Sequence, residues 1–216
     1  LTLSFPDGRD VSGVPELAIP FREVKSAEEA RAAYREMGGK VVLKSVRGEN
    51  SRFLALGIDS EEAAVKAYLE LDAGLKAYAE RPEAKQTTFS RHPGIFMERM
   101  LEKEPGSEET SIEVIMQRGK PAFAMVSDTK SIGRKLELAA GSITFPSVQP
   151  EAAHRAFVEA AGKALQVLGI SDGNARIDMI LTKEGPKIVE INPFMGGANI
   201  FRCIQELTGM SMVEQG

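Results

Sequence analysis

One cysteine, two histidines and no long apolar run are the scarcities that first narrow this 216-residue sequence. With Cys203 alone no intrachain disulfide can form, which excludes a disulfide-stapled scaffold. No charged n-region precedes an apolar stretch of membrane-spanning length, so neither secretion nor membrane insertion is signalled, and a reducing, cytoplasmic setting is expected. Charge of one sign is lacking too. The 27 basic and 31 acidic residues leave a formal charge of −4 with both signs interspersed, so no footprint for nucleic acid is present. His92 falls in a turn and His154 on a helical stretch, and neither has a serine or cysteine nucleophile motif beside it; both read as surface histidines. No Walker A spacing occurs, which excludes a P-loop enzyme, and nothing matches the catalytic-loop or metal-binding motifs of a protein kinase. Internal repeats and low-complexity segments are absent as well.

What is there is a chain with 43% hydrophobic residues, enough for one large domain or two small ones sharing a cleft. Residues 1–12 are turn-rich and lack an initial methionine, and they read as a linker from a preceding domain. Ser26 and Glu29 form a capping box that opens a helix over about 27–37, stopped at Gly38-Gly39. Lys40 to Lys44 and Phe53 to Ile58 read as strands, and a second helix runs from Ser60 to the Arg81-Pro82 stop. A composition change at Arg91-His92-Pro93-Gly94 separates this α+β unit, 13–94, from a second unit, 95–216. There Ile95–Leu101, Ser111–Gln117 and Ala122–Ser127 are strand-like, Thr129–Pro150 reads as a long candidate active-site loop, and Pro150 introduces a helix to Leu168. Two strands, 176–181 and 187–192, and a helix over 199–207 complete the pattern. Cys203, among Ile200, Phe201 and Ile204, is expected in the core of that last helix.

The two late strands carry the most chemistry. Alternation places Arg176, Asp178 and Ile180 on one face, and Ile188, Glu190 and Asn192 on one face of the next strand. A hairpin closing about Glu184 sets Asp178 opposite Glu190 and Arg176 opposite Asn192. Directly opposed side chains have Cβ atoms roughly 4.5–5.5 Å apart, where like charges repel, so the pair asks for a cation. Magnesium, a hard ion that takes oxygen ligands and one or two carboxylates, is the natural candidate. Arg176 beside it could stabilise charge on a transferring phosphoryl group. The bland alternative is a solvent-facing hairpin of unrelated charges, and a one-residue slip would undo the pairing. Lys44 ends a buried-looking strand before the turn Gly48-Glu49-Asn50-Ser51-Arg52, where a lysine can reach a nucleotide phosphate; the alternative is an exposed strand-end lysine.

In this order the pieces resemble the ATP-grasp superfamily, nearest its carboxylate–amine ligases of the amino-acid ligase and D-alanine ligase type. The resemblance rests on Gly13-Val14-Pro15, Ser26-Ala27-Glu28-Glu29-Ala30 and Val41-Val42-Leu43-Lys44, then Phe96-Met97-Glu98-Arg99-Met100-Leu101, the Gly106 to Glu113 segment, and Gly185 to Pro193 with Gly196-Gly197 and Thr208-Gly209. It implies an α+β ATP-grasp fold of two subdomains clasping MgATP, the first a mobile lid. It further implies that Lys44 meets the α- and β-phosphates with Lys130 as the second phosphate lysine, Lys135 being its rival. Glu98 and the backbone of Arg99 and Leu101 would meet adenine, and Glu109, rather than Glu108, the ribose hydroxyls. Asp178, Glu190 and Asn192 match magnesium ligands, manganese being a substitute, and Arg176 matches the residue that steadies an acyl phosphate or tetrahedral intermediate.

The sequence departs from the family at the phosphate-covering loop, which lacks a second glycine, and at Phe194, where many amino-acid ligases carry an arginine for the substrate's anionic group; Arg202 could supply that charge. The activity implied is ATP-dependent joining of a small-molecule carboxylate to an amine through an acyl phosphate, releasing ADP and phosphate. A homodimer is compatible with this, and no nucleic-acid or membrane partner is expected. A carboxylase-type or thiol-forming ligase and a noncatalytic ATP-sensing module remain alternatives.

Overall fold

The computed structural model describes residues 13–46, 53–82, 84, 94–134, 137–197 and 199–215, with 131–141 described by backbone only. The chain divides into two compact units. Among the described residues the first is Ile19–Leu101 with Ile132–Ala139; the second comprises 13–18, Glu102–Ser131 and those from Ala140 on.

In the first unit the strands β1 (Phe21–Val24), β2 (Val41–Ser45), β3 (Leu54–Ile58) and β4 (Ile95–Arg99) form an antiparallel sheet in the order β1-β4-β2-β3. Two helices, α1 (Ala27–Met37) and α2 (Glu61–Ala79), cover one face. Both start where a serine can cap: Ser26 Oγ accepts the Glu29 N–H and Ser60 Oγ the Ala63 N–H, each at 3.1 Å, satisfying amides that have no partner in the first turn. Gly38 ends α1 in the left-handed conformation that glycine takes without penalty. Val41, Leu43, Ile95 and Met97 point to the helices and form the core with Ala30, Ala33 and Leu71. The composition change near residue 94 therefore does not mark the unit boundary, because β4 is paired on both sides within the first sheet.

A second antiparallel sheet is formed by β5 (Glu109–Gln117), β6 (Lys120–Arg134), β7 (Glu137–Thr144), β8 (Gly173–Thr182) and β9 (Gly185–Asn192), in the order β7-β6-β5-β8-β9. Helix α3 (Glu151–Val167) buries Phe157, Ala161 and Leu165 against Ile112, Val114, Ile177 and Met179 on one face. Helix α4 (Ile200–Thr208) buries Ile200 and Ile204 with Ile115. The stretch expected as an active-site loop, Thr129–Pro150, is mostly strand: β6 continues to Arg134 and β7 follows to Thr144. Its serines, threonines, glycines and charges carry no alternating apolar signal, so the pairing comes from the sheet and not from local pattern. Cys203 is exposed, because the buried stripe of α4 runs through positions 200 and 204 and passes it by. Among the described residues no helix is long and apolar enough to cross a membrane.

Candidate active site

The hairpin β8–β9 closes through a two-residue turn at Lys183-Glu184, with Thr182 paired to Gly185. Counted from that turn, Asp178 would face Val189. A bulge between Asp178 and Met179 absorbs one residue of β9, so the register beyond it pairs Asp178 with Glu190 and Arg176 with Asn192. The same bulge breaks the expected alternation: Ile188 and Ile191 are both buried in the core, so Ile188 does not share a face with Glu190 and Asn192.

On its other side β8 pairs with β5, setting Ser111 opposite Asp178 and Glu113 opposite Arg176. Two cross-strand rungs result, Ser111–Asp178–Glu190 and Glu113–Arg176–Asn192. Asp178 Oδ1 accepts hydrogen bonds from Ser111 Oγ (2.6 Å) and Arg176 Nε (3.1 Å). Arg176 Nη2 also donates to Ser111 Oγ at 2.9 Å. Because the single hydroxyl proton of Ser111 goes to Asp178, Thr129, whose Oγ1 lies 3.2 Å away, is the donor in its contact with Ser111.

Glu113 is 0% exposed. Its Oε2 accepts the Gly196 N–H at 3.1 Å, and its Oε1 lies 3.9 Å from Arg176 Nε with no hydrogen bond of its own among the described residues. Burial outweighs the lowering effects of the Gly196 amide and Arg176, and with Asp178 adding repulsion it pushes the carboxyl up to about 7. The absence of a side chain at Gly196 makes room there: a Cβ would displace Glu113 Oε1 and approach Arg176 Nη1 to 3.1 Å. Sequence reasoning gave Ser111, Glu113 and Gly196 no role. The available signal was the polar series 109, 111, 113 interleaved with Thr110, Ile112 and Val114 on a strand whose other face is core.

Glu109 lies on the same face as Ser111 by alternation, and it pairs with Thr129 and Ile180. Lys130, one residue beyond Thr129, is exposed and falls by alternation on the face of Val126 and Asp128, so it is not brought to the Arg176–Asp178 face. Its rival Lys135 and the loop 48–52 lie outside the described residues, as does His92. His154 sits half-buried on α3 with its Nε2 unpartnered among them.

In the first unit, β2 and β4 pair Lys44 with Phe96 and Val42 with Glu98, placing all four on the face opposite the helices. Lys44 Nζ lies 2.5 Å from Glu98 Oε2, with side-chain exposures of 19% and 5%, and 6.0 Å from the Phe96 ring centroid. The two expected nucleotide contacts are thus ion-paired with each other. The Arg99 N–H donates to Pro20 O at 3.1 Å, so an adenine contact from Arg99 falls to its carbonyl.

The donor set Asp178, Glu190 and Asn192 suits magnesium. It offers oxygen ligands, with two carboxylates; among the described residues no group of three or more His, Cys, Asp or Glu side chains is placed to hold a metal ion.

No protein-family model matches the chain. Among curated proteins it is 26% identical over 187 residues to the uncharacterized protein y4rH of Sinorhizobium fredii, covering 86% of this chain and 34% of that protein. It is 32% identical over 113 residues to carnosine synthase 1 of Gallus gallus, covering 49% of this chain and 12% of that protein. The chain thus spans about a third or less of the curated relatives' length. Among solved structures, N5-carboxyaminoimidazole synthase from Aspergillus clavatus, in complex with ADP and its ribonucleotide, matches with TM-score 0.71 at 13% identity, over 95% of this chain and 47% of that one. The biotin carboxylase domain of the Hydrogenobacter thermophilus 2-oxoglutarate carboxylase, a dimer with MgADP and bicarbonate, matches with TM-score 0.69 at 19% identity, over 92% and 40%. An L-amino acid ligase from Bacillus licheniformis matches with TM-score 0.65 at 18% identity, over 91% and 41%. At these identities the likeness establishes the fold, which is the ATP-grasp fold.

Proposed function

We propose that this ATP-grasp chain is the nucleotide-binding core of an ADP-forming ligase that activates a carboxylate as an acyl phosphate and joins it to an amine in the cytoplasm. The observation that carries the reading is the pair of rungs on β5, β8 and β9, which sets two carboxylates, an amide and a bracketed guanidinium on one face. The likeness to an L-amino acid ligase and to carnosine synthase 1 supports carbon–nitrogen bond formation as the class.

Asp178, Glu190 and Asn192 would hold magnesium, which when bound supplies positive charge against the phosphate oxygens. Lys44 would bind the α- and β-phosphates, exchanging its Glu98 partner for them as Glu98 turns to the adenine edge with the Arg99 carbonyl and the Leu101 amide. Glu109 would accept from the ribose hydroxyls. Lys130 enters only if it leaves the face on which its strand places it. Arg176, already fixed by Ser111 and Asp178, presents a cation where negative charge develops as the γ-phosphoryl group passes to the carboxylate. An amine then attacks the acyl carbon and phosphate departs. The chain's part is positioning and electrostatics, with no protein nucleophile.

The likeness to a biotin carboxylase domain favours one second reading, in which bicarbonate is the carboxylate activated. ADP release by the full-length protein with magnesium and ATP, measured against a panel of amino acids, other carboxylates and bicarbonate, separates the two. Acceptor-dependent release that Glu190→Gln abolishes supports the ligase, and bicarbonate dependence supports the carboxylase. Tight MgATP binding with no ADP formed for any acceptor would replace both with a sensing module.

A further inference from the structure

A carboxylate with no exposure is costly to the fold unless it is well paired, and Glu113 is paired sparingly, with one amide hydrogen bond and an arginine just beyond hydrogen-bond reach. Such a group is a poor stabiliser, so its place beside Arg176 calls for another reason. Arg176 lies between two carboxylates that differ in what else is asked of them. Asp178 stands in the rung with Glu190 and, on the ligase reading, would share its charge with a cation, which would weaken its hold on the Arg176 Nε–H. Glu113 stands on the far side, enclosed, opposite Arg176 in the neighbouring rung. Its place beside Arg176 does not depend on what Asp178 binds. Its second oxygen holds the Gly196 N–H, where the missing side chain lets the turn after β9 close on the carboxylate and the guanidinium together.

We propose that Glu113 is a positioning residue: its enclosed carboxylate fixes the Arg176 guanidinium for the anion it receives and ties it to the Gly196 turn that follows the metal-binding strand. The anion is the transferring phosphoryl group or acyl phosphate, and in that respect the proposal rests on the ligase reading.

The test compares the full-length wild type with Glu113→Gln, which keeps size and an acceptor for Gly196 but removes the charge. Nitrogen-15 spectra report the Arg176 Nε–H directly, assigned by its loss in Arg176→Lys. The expected result is a shifted or broadened Arg176 resonance in Glu113→Gln. The accompanying kcat for ADP formation falls by about 10- to 100-fold, as for a misplaced catalytic group, with KM for MgATP held within about twofold, since ground-state nucleotide binding is not touched. In an Arg176→Lys background, Glu113→Gln should cost little more, because both act through one guanidinium. An unchanged Arg176 resonance, or full additivity with Arg176→Lys, overturns the proposal. Should Glu113→Gln not fold, Glu113→Asp, which keeps the carboxylate and shortens its reach toward Arg176, takes its place, and an unmoved resonance there overturns the proposal equally. Failure of the wild type to release ADP with any acceptor would remove the ligase reading instead, while the resonance still decides the role of Glu113.

Discussion

Ser111 and Asp178 face each other across β5 and β8, and the serine gives its only proton to the aspartate oxygen that also receives the Arg176 Nε–H. Ser111→Ala removes a donor to Asp178 and an acceptor from Arg176 together. The expected cost is about 1–3 kcal/mol of unfolding free energy, the range for leaving buried polar partners unmatched. Urea denaturation of the metal-free protein measures it; a change below a few tenths would mean that Arg176 and Asp178 hold their geometry unaided.

Asp178 and Glu190 sit opposite each other with like charge. Glu190→Gln removes one of the two carboxylates, so the added stabilisation by magnesium with ATP should vanish while the protein still folds in EDTA. A variant that keeps the full magnesium shift would contradict the metal assignment.

Burial raises the Glu113 carboxyl from 4.5 to about 7 in the folded chain. The folded state therefore holds a proton that the unfolded state gives up between those values, so this group's contribution to stability is present below the lower value and is lost as pH rises toward 7, then stays flat. The upper bound is about 3 kcal/mol, each tenfold change in proton affinity being worth about 1.4 kcal/mol. Unfolding free energies at pH 5 and pH 8 should show a steeper fall for wild type than for Glu113→Gln; parallel profiles would remove Glu113 as the source.

Lys44 and Glu98 neutralise each other on a poorly exposed sheet face. Lys44→Met takes the lysine charge from Glu98 and should cost on the order of 3 kcal/mol, as when one member of a buried pair is removed. Adding Glu98→Gln should recover most of that stability but not ATP affinity. Chemical denaturation and nucleotide titration of the three variants together check it; recovery of both properties would place the nucleotide elsewhere.

The parts of this architecture legible in the sequence were those with a local physical signature. Ser26 with Glu29 at one end, and Gly38 just past the last residue at the other, bound α1 because caps act within a turn of the chain. Symmetric closure about Glu184 gave the pairing of Asp178 with Glu190, and the hairpin reaches that same pairing by another route, a turn at Lys183-Glu184 followed by a bulge at Val189. Less local features were hidden. The strands after Thr129 are held by their neighbours in the sheet, and the orientation of Ile188 depends on a bulge that no residue type announces. Glu113 met Gly196 only through folding across 83 positions. Lys130 illustrates the converse: a match by motif order says nothing about which side of a strand the side chain takes.

The bulge in β9 has a consequence for how this hairpin tolerates change. Between the turn and Val189 the strand counts in one parity; from Glu190 to Asn192 it counts in the other. Loss of Val189 would regularise the ladder and leave both polar rungs matched, so the segment nearer the turn carries one residue of slack. The three positions after it carry none, since a single added or missing residue there would turn the carboxylate inward and a core side chain outward. The hairpin thus behaves as a ruler with one adjustable graduation, placed between the end that closes the loop and the end that carries the polar rungs.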